Sequence, residues 1–142
     1  MKILFVCRQN VGRSQMAKAF YNILSKTNDA DAAGTHVIER GQTLLERKAT
    51  SESKNFFVID VMKDAGLDIA AFTRHPLEES VLDKYDRIIS MANEADTPKW
   101  LLESPKYTHW DVKDPRGQDY ETTAKVRDEI KLKVSELIKG RG

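Results

Sequence analysis

Near the start of the chain, a cysteine and an arginine have the spacing expected of an anion-binding loop. Five residues separate Cys7, the only cysteine among 142 residues, from Arg13. A short apolar run, residues 3–6, precedes them, and a helical pattern begins at Ser14. Backbone N–H groups in a tight loop at a helix N-terminus converge on a concavity that binds a tetrahedral oxyanion. Arg13 can complete that ring with two parallel hydrogen bonds to anion oxygens.

We name residues 7–14 the anion loop, and every residue in it after the cysteine is predicted to bind the oxyanion. These residues are Arg8, Gln9, Asn10, Val11, Gly12, Arg13 and Ser14. Asn10 and Gly12 tolerate the positive φ that a tight loop requires. The loop lacks the glycine-lysine pattern of nucleotide-binding phosphate loops, and the predicted chemistry uses neither a metal nor a cofactor.

Cys7 is predicted to act as a nucleophile. A helix N-terminus and a nearby cation favour the thiolate, which is the reactive form of cysteine. The Ser14 hydroxyl can donate a hydrogen bond to the sulfur and stabilise its negative charge. A thiolate that faces a bound tetrahedral anion is positioned for covalent phosphoryl transfer.

Asp114, which precedes Pro115, is the predicted general acid. A phosphate ester needs its leaving oxygen protonated as the bond breaks, and a carboxylic acid supplies that proton. The resulting carboxylate can then activate the water that hydrolyses the intermediate. Asp111 is the alternative acid, three residues earlier and without the proline.

Strand-like and helix-like segments alternate along the chain. Four β-rich runs predict strands near residues 3–6, 31–35, 85–91 and 107–112. Helical spacing predicts helices from Ser14 to about residue 25, at residues 54–65, around residues 77–82 and after residue 122. The apolar residues between positions 39 and 52 follow neither helical nor strand spacing clearly.

Two of these helices carry predicted end signals. Ser51 or Ser53 is the expected N-cap of the helix at residues 54–65, and Gly66 is its stop. Thr122 or Thr123 is the expected cap of the last helix. Its apolar stripe is predicted to pack on the sheet and consists of Val126, Ile130, Val134 and Ile138.

Alternating strands and helices predict an α/β sandwich with about four parallel strands, in one domain that covers residues 1–142. The 23 basic and 22 acidic side chains give a net charge of +1, which argues against a nucleic-acid or membrane partner. A single cysteine excludes an internal disulfide, and no signal-peptide pattern is found. We therefore expect a cytoplasmic monomer.

Several segments resemble the signature of the low-molecular-weight protein tyrosine phosphatases and of their relatives, the thioredoxin-linked arsenate reductases. The matching positions are residues 6–7, 10, 13–17, 33–35, 64–68 and 114–115. The resemblance covers nearly the whole chain. It implies a flavodoxin-like three-layer sandwich, with Cys7 as nucleophile, Arg13 as the clamp on the transition state and Asp114 as general acid.

The chain departs from these families at specific positions. Arg116 and Gly117 stand where many eukaryotic-type members have two tyrosines that hold an aromatic substrate. Gln9 replaces a common glycine, and Gly12 replaces a common second cysteine. Residues 92–100 contain no cysteine, so an internal disulfide relay for arsenate reduction is impossible.

The sequence therefore predicts a metal-independent phosphatase that hydrolyses phosphomonoesters, with protein phosphotyrosine as substrate, through a cysteinyl-phosphate. The alternative is a single-cysteine arsenate reductase that uses an external thiol or redoxin. A non-catalytic oxyanion-binding module is the third possibility. The expected partners are a phosphorylated protein or a small phosphate ester, or arsenate with a thiol donor.

Two further expectations concern residues outside the loop. If Arg8 and Arg116 flank the mouth of the pocket, they favour an acidic substrate surface. Three histidines show no metal-ligand spacing and are predicted to be structural or solvated: His36, His75 and His109.

Overall fold

The computed structural model describes residues 1–140, and Arg141 and Gly142 lie outside the described part. Its strands are Ile3–Cys7 (β1), Ala30–Gly34 (β2), Arg87–Ser90 (β3) and Tyr107–His109 (β4). They form an all-parallel sheet in the order β2-β1-β3-β4. In this register Cys7 lies opposite Gly34, and Val6 lies between Ala33 and Ser90.

Helices connect these strands and cover both faces of the sheet. They are Arg13–Ser25 (α1), Leu44–Ala49 (α2), Val58–Asp64 (α3), Val81–Lys84 (α4), Lys99–Leu102 (α5) and Tyr120–Ile138 (α6). A short 3-10 turn covers Glu94–Asp96. No helix within residues 1–140 is both long and apolar enough to cross a membrane.

Alternate residues of β1 point to two separate cores, and all five are buried. Ile3 and Phe5 belong to the larger core, which includes buried side chains of α1, α3 and α6. Leu4 and Val6 belong to a smaller core on the opposite face, with Val81 of α4 and Leu101 of α5. An apolar strand covered on both faces is typical of a parallel sheet. The predicted three-layer α/β sandwich is thus confirmed.

The segment between residues 39 and 65 differs from its prediction. Helix α2 lies in the stretch that showed no period, and it begins with a capping box formed by Thr43 and Glu46. Helix α3 begins at Val58 rather than at residue 54, so neither Ser51 nor Ser53 caps it. Phe56 and Phe57 pack against the larger core before the helix starts, which explains why an apolar pattern extended beyond the helix.

The cap of α6 also differs from its prediction. Asp119 is the N-cap, and its carboxylate accepts a hydrogen bond of 2.8 Å from the Thr122 N–H. Thr123 lies inside the helix, where its hydroxyl donates to the Asp119 carbonyl. At the other end Leu137 is buried whereas Ile138 is 38% exposed. The apolar stripe therefore shifts by one residue in the last turn, as a period of 3.6 requires.

The other predicted elements occur where they were expected but with different bounds, whereas α5 and the 3-10 turn lie in a segment for which no helix was predicted. Helix α4 begins four residues later than the predicted helix, and β3 and β4 are shorter than the predicted strands. β4 is an edge strand, as its polar composition indicated.

Candidate active site

The anion loop connects β1 to α1 at the carboxyl edge of the sheet. The carbonyl oxygens of residues 7–10 all accept hydrogen bonds from outside the loop. In order, the donors are Thr35 N, His36 N, Arg74 Nε and Gln15 Nε2, at distances of 3.0, 2.8, 3.0 and 3.0 Å. In a trans peptide the carbonyl oxygen and the following N–H point in opposite directions. Because the four carbonyl oxygens point towards their hydrogen-bond donors, the N–H groups of residues 8–11 point in the opposite direction.

The N–H groups of residues 8–13 form no hydrogen bond within the described chain. Six successive unused donors beside the first turn of α1 can satisfy the oxygens of a tetrahedral anion. This geometry can bind phosphate or arsenate.

Asn10 gives the loop its sharp turn, with a φ of 56°, in the left-handed region that asparagine tolerates. Gly12, for which a positive φ was expected, has a φ of −104° instead. The Asn10 side chain is fully buried and is held on both sides. Its Oδ1 accepts a hydrogen bond from His75 N, and its Nδ2 donates to Ser14 Oγ, each at 2.8 Å.

The Cys7 thiol lies at the base of the loop, where its Sγ is 3.0 Å from Ser14 Oγ. Because Ser14 Oγ accepts a hydrogen bond from Asn10, the hydroxyl hydrogen of Ser14 remains available for the sulfur. A donor at this distance can stabilise negative charge on the sulfur. The expected contact between Ser14 and Cys7 is therefore present.

Gly34 allows β2 to approach the anion loop closely. A Cβ at this position would lie 2.8 Å from the Arg8 carbonyl oxygen, 2.8 Å from Asn10 N and 2.7 Å from a methyl carbon of Val37. Two of these neighbours are backbone atoms of the loop, so they cannot move without distorting the anion site. Only glycine fits here, because the Cβ of any other residue would clash with these atoms.

We expect Gly34→Ala to destabilise the protein by roughly 1–3 kcal/mol, the usual cost of overpacking, and to weaken phosphate binding. Denaturant unfolding and phosphate titration measure the two effects. Gly12→Ala is the matched control for the unfolding measurement, because its Cβ would meet Val58 and Pro115 at ordinary distances of 3.4 and 3.5 Å. Equal unfolding free energies for the two variants would contradict this explanation of Gly34.

The Arg13 guanidinium is fixed at the edge of the sheet. Its Nη1 donates to the carbonyl oxygens of Met91, at 2.5 Å, and Val112, at 3.0 Å. Its Nη2 lies 3.7 Å from Asp114 Oδ2. Arg13 is 7% exposed, and it still lines the cavity.

Asp114 also lines the cavity, and half of its side chain is exposed. Its Oδ1 accepts a hydrogen bond of 3.0 Å from Arg116 N, which closes a short turn around Pro115. The alternative acid, Asp111, is exposed and does not line the cavity. The geometry therefore favours Asp114 as the carboxyl group that faces a bound anion.

A cavity of about 860 Å³ opens above the loop. Cys7 and Arg13 line it with three further loop residues: Gln9, Val11 and Gly12. Asn10 and Ser14 are buried behind them, and the exposed Arg8 side chain does not line the cavity, whereas Arg116 does.

The cavity also contains residues that the sequence did not indicate. They are His36, Ile38, Glu39, Gln42, Arg47, Phe56, Phe57 and Arg74, among others. His36, predicted to be structural or solvated, lies within 4.0 Å of Asp96. The segments around residues 36–57 and 74 have no chemical motif, so only the fold brings them to the site. No group of three or more His, Cys, Asp or Glu side chains in residues 1–140 could hold a metal ion.

Comparison with known proteins places this site in a family. Residues 2–140 match the family model described as low molecular weight phosphotyrosine protein phosphatase. A glutaredoxin arsenate reductase from Synechocystis sp. is 31% identical over 139 residues, which cover 96% of this chain and 95% of that protein. An arsenate reductase from Staphylococcus aureus strain N315 is 27% identical over 136 residues, with 95% and 94% coverage.

Solved structures of both kinds share the fold. A low molecular weight protein tyrosine phosphatase from T. tengcongensis superposes with a TM-score of 0.79 at 26% identity and covers 99% of each chain. An arsenate reductase in the phosphate-binding state superposes with a TM-score of 0.75 at 29% identity, with complete coverage of both chains. Both phosphatase and arsenate reductase activity fit these similarities. The chain is an enzyme of this class and belongs to the low molecular weight phosphotyrosine protein phosphatase family.

Proposed function

We propose that the protein is a metal-independent phosphatase that hydrolyses phosphomonoesters through a cysteinyl-phosphate. One observation favours a phosphatase over a reductase. A carboxyl group, Asp114, faces the anion loop beside Arg13, at 3.7 Å from its guanidinium. Ester hydrolysis requires a proton donor at that place, whereas arsenate reduction requires further thiols, which a chain with Cys7 alone would have to obtain from an external donor.

In the first step the Cys7 thiolate attacks the phosphorus and forms an S–P bond. The bond from phosphorus to the ester oxygen breaks, and the protonated Asp114 carboxyl group donates its proton to that oxygen. The loop N–H groups and Arg13 stabilise the charge on the three equatorial oxygens. They supply the positive potential that other phosphatases obtain from metal ions.

In the second step water attacks the phosphorus, and the S–P bond breaks to restore the Cys7 thiolate. The Asp114 carboxylate, left by the first step, takes one proton from the attacking water. Inorganic phosphate then leaves. Ser14 supports both steps because its hydroxyl lies 3.0 Å from the sulfur and stabilises the leaving thiolate.

We propose phosphotyrosine in proteins as the substrate. Two aromatic side chains on the cavity wall, Phe56 and Phe57, support a planar aryl group on a phosphate held by the loop. The residues that form the site belong to one chain, which supports a functional monomer. We also propose the cytoplasm as the location, because the nucleophile must remain a reduced thiol.

Arsenate reduction is the second candidate, favoured by the arsenate reductases among the relatives of this chain. Cys7 would attack the arsenic of arsenate, so that an S–As bond forms while an As–O bond breaks and its oxygen leaves as water, and an external thiol would then attack the Cys7 sulfur. Arsenite would leave with the electron pair of the S–As bond, and a mixed disulfide would remain for a second thiol to reduce. The two-electron oxidation of thiols thus balances the reduction of arsenic.

The deciding experiment compares both activities of the same preparation. We expect hydrolysis of p-nitrophenyl phosphate and of a phosphotyrosine peptide, with and without EDTA, at equal rates. Arsenate loss is measured in parallel with glutathione and with a glutaredoxin as thiol donors. Arsenate loss that depends on a thiol, without ester hydrolysis, would replace the phosphatase by the reductase.

A further inference from the structure

Arg74 is an unexpected buried cation beside the anion loop. Residues 72–74 run next to residues 41–44 through backbone hydrogen bonds, including that from Arg74 N to the Gln42 carbonyl at 2.8 Å. The side chain is 4% exposed and lines the cavity. Its Nη1 contacts Gln42 Oε1 at 2.6 Å and Glu39 Oε2 at 3.3 Å.

The third polar contact of Arg74 reaches the loop itself. Its Nε donates to the Gln9 carbonyl oxygen at 3.0 Å. The carbonyls of Cys7 and Arg8 are held by backbone N–H groups, which any residue except proline could supply. The Gln9 carbonyl depends on a charged side chain 65 residues away in the sequence. Fixing this carbonyl fixes the plane of the Gln9–Asn10 peptide and so the direction of the Asn10 N–H.

The charge of Arg74 also acts on the site. Burial lowers the pKa of this guanidinium below its ordinary value, whereas Glu39 and the Cys7 thiolate act in the opposite direction. Arginine nevertheless stays protonated at neutral pH. A fixed positive charge in a partly desolvated wall attracts a dianion more strongly than an exposed one does.

We propose that Arg74 is a positioning residue for oxyanion binding, which holds the Gln9–Asn10 peptide and adds a buried positive charge beside the bound dianion. Arg74 acts through the loop and does not touch the reacting atoms. The proposal rests on the oxyanion site of the proposed function but not on ester hydrolysis. It applies to phosphate and arsenate alike.

The test measures how well inorganic phosphate protects Cys7 from alkylation by iodoacetamide. Arg74→Met should require roughly 10-fold to 100-fold more phosphate for the same protection, because a hydrogen bond from a charged donor contributes on that scale. Arg40→Met is the matched control. Arg40 is exposed, does not line the cavity and pairs with Glu78 at 2.8 Å on the surface, so its loss should leave protection unchanged.

Two further variants separate positioning from general damage to the fold. Arg74→Lys keeps the charge without the planar fork, so its protection should lie between those of wild type and Arg74→Met. Glu39→Gln removes the charge that offsets Arg74, and Glu39 is 59% exposed, so folding is preserved. It should bind phosphate more tightly than wild type, most clearly at low ionic strength.

Steady-state kinetics provide the second readout. Loss of ground-state anion binding should raise KM for p-nitrophenyl phosphate more than it lowers kcat. A purely structural role would lower the active fraction, and hence kcat, at unchanged KM. Unchanged phosphate protection in a folded Arg74→Met, or weaker protection in Glu39→Gln, would overturn the proposal. Because protection needs no turnover, an enzyme without phosphatase activity would still test Arg74.

Discussion

Cys7→Ser is expected to abolish turnover while the protein still binds phosphate. A serine hydroxyl at this position is not ionised at neutral pH, so it cannot replace the thiolate as nucleophile. The loss should be on the order of 10⁴–10⁶-fold in kcat, as when other enzymes lose a catalytic nucleophile. The six loop N–H groups and Arg13 remain in place, so isothermal titration with phosphate should still detect binding.

Arg13→Met is the variant to compare with Cys7→Ser, which should lose turnover but keep phosphate binding. Arg13 lines the cavity together with other residues of the anion loop, and its loss should remove both phosphate binding and turnover. Residual hydrolysis by Cys7→Ser at a rate near that of wild type would show that Cys7 is not the nucleophile. Loss of phosphate binding in Cys7→Ser would mean that the sulfur itself holds the anion.

Asp114→Asn is expected to slow ester hydrolysis by roughly 10²–10⁴-fold, the usual contribution of general acid catalysis. The amide keeps the shape of the side chain, including the acceptor for Arg116 N, but it can neither donate the required proton nor take one from water. The effect should be largest for substrates with a poor leaving group, such as phenyl phosphate. The measurement is kcat/KM across a series of leaving groups.

Asp111→Asn provides the matched control for that series. Asp111 is exposed and does not line the cavity, so its amide variant should hydrolyse every substrate at the wild-type rate. An Asp114→Asn enzyme with wild-type rates on poor leaving groups would remove Asp114 from the mechanism. A strong effect of Asp111→Asn would then identify the other carboxylate as the acid.

The sequence was most informative where chemistry and secondary structure follow from neighbouring residues. The uninterrupted apolar run at residues 3–6 predicted a strand that is buried on both faces, and this strand is buried in the structure. The helical spacing of Met16 and Phe20 predicted the buried face of α1, and both side chains are buried there. The anion loop must therefore lie between a strand end and a helix start, where the structure places it. The pattern of neighbouring residues along the chain thus predicted the sheet, the loop and the contact between Ser14 and Cys7.

Residues that act from a distance could not be predicted in this way. Arg74 and Glu39 belong to segments with ordinary composition, and their role depends on the pairing of residues 72–74 with 41–44. Gly34 is required because a Cβ at this position would lie 2.8 Å from two backbone atoms of the anion loop. Such requirements come from tertiary packing, which leaves no periodic signal in the sequence.

The most direct test of the mechanism looks for the covalent intermediate. p-Nitrophenol leaves readily without a proton donor, so Asp114→Asn should still form the cysteinyl-phosphate but hydrolyse it slowly. Acid quenching followed by intact-protein and peptide mass spectrometry should therefore find a phosphoryl group on Cys7 after a burst of p-nitrophenol. A burst without phosphoryl on Cys7, or a phosphoryl group on another residue, would contradict the proposed mechanism.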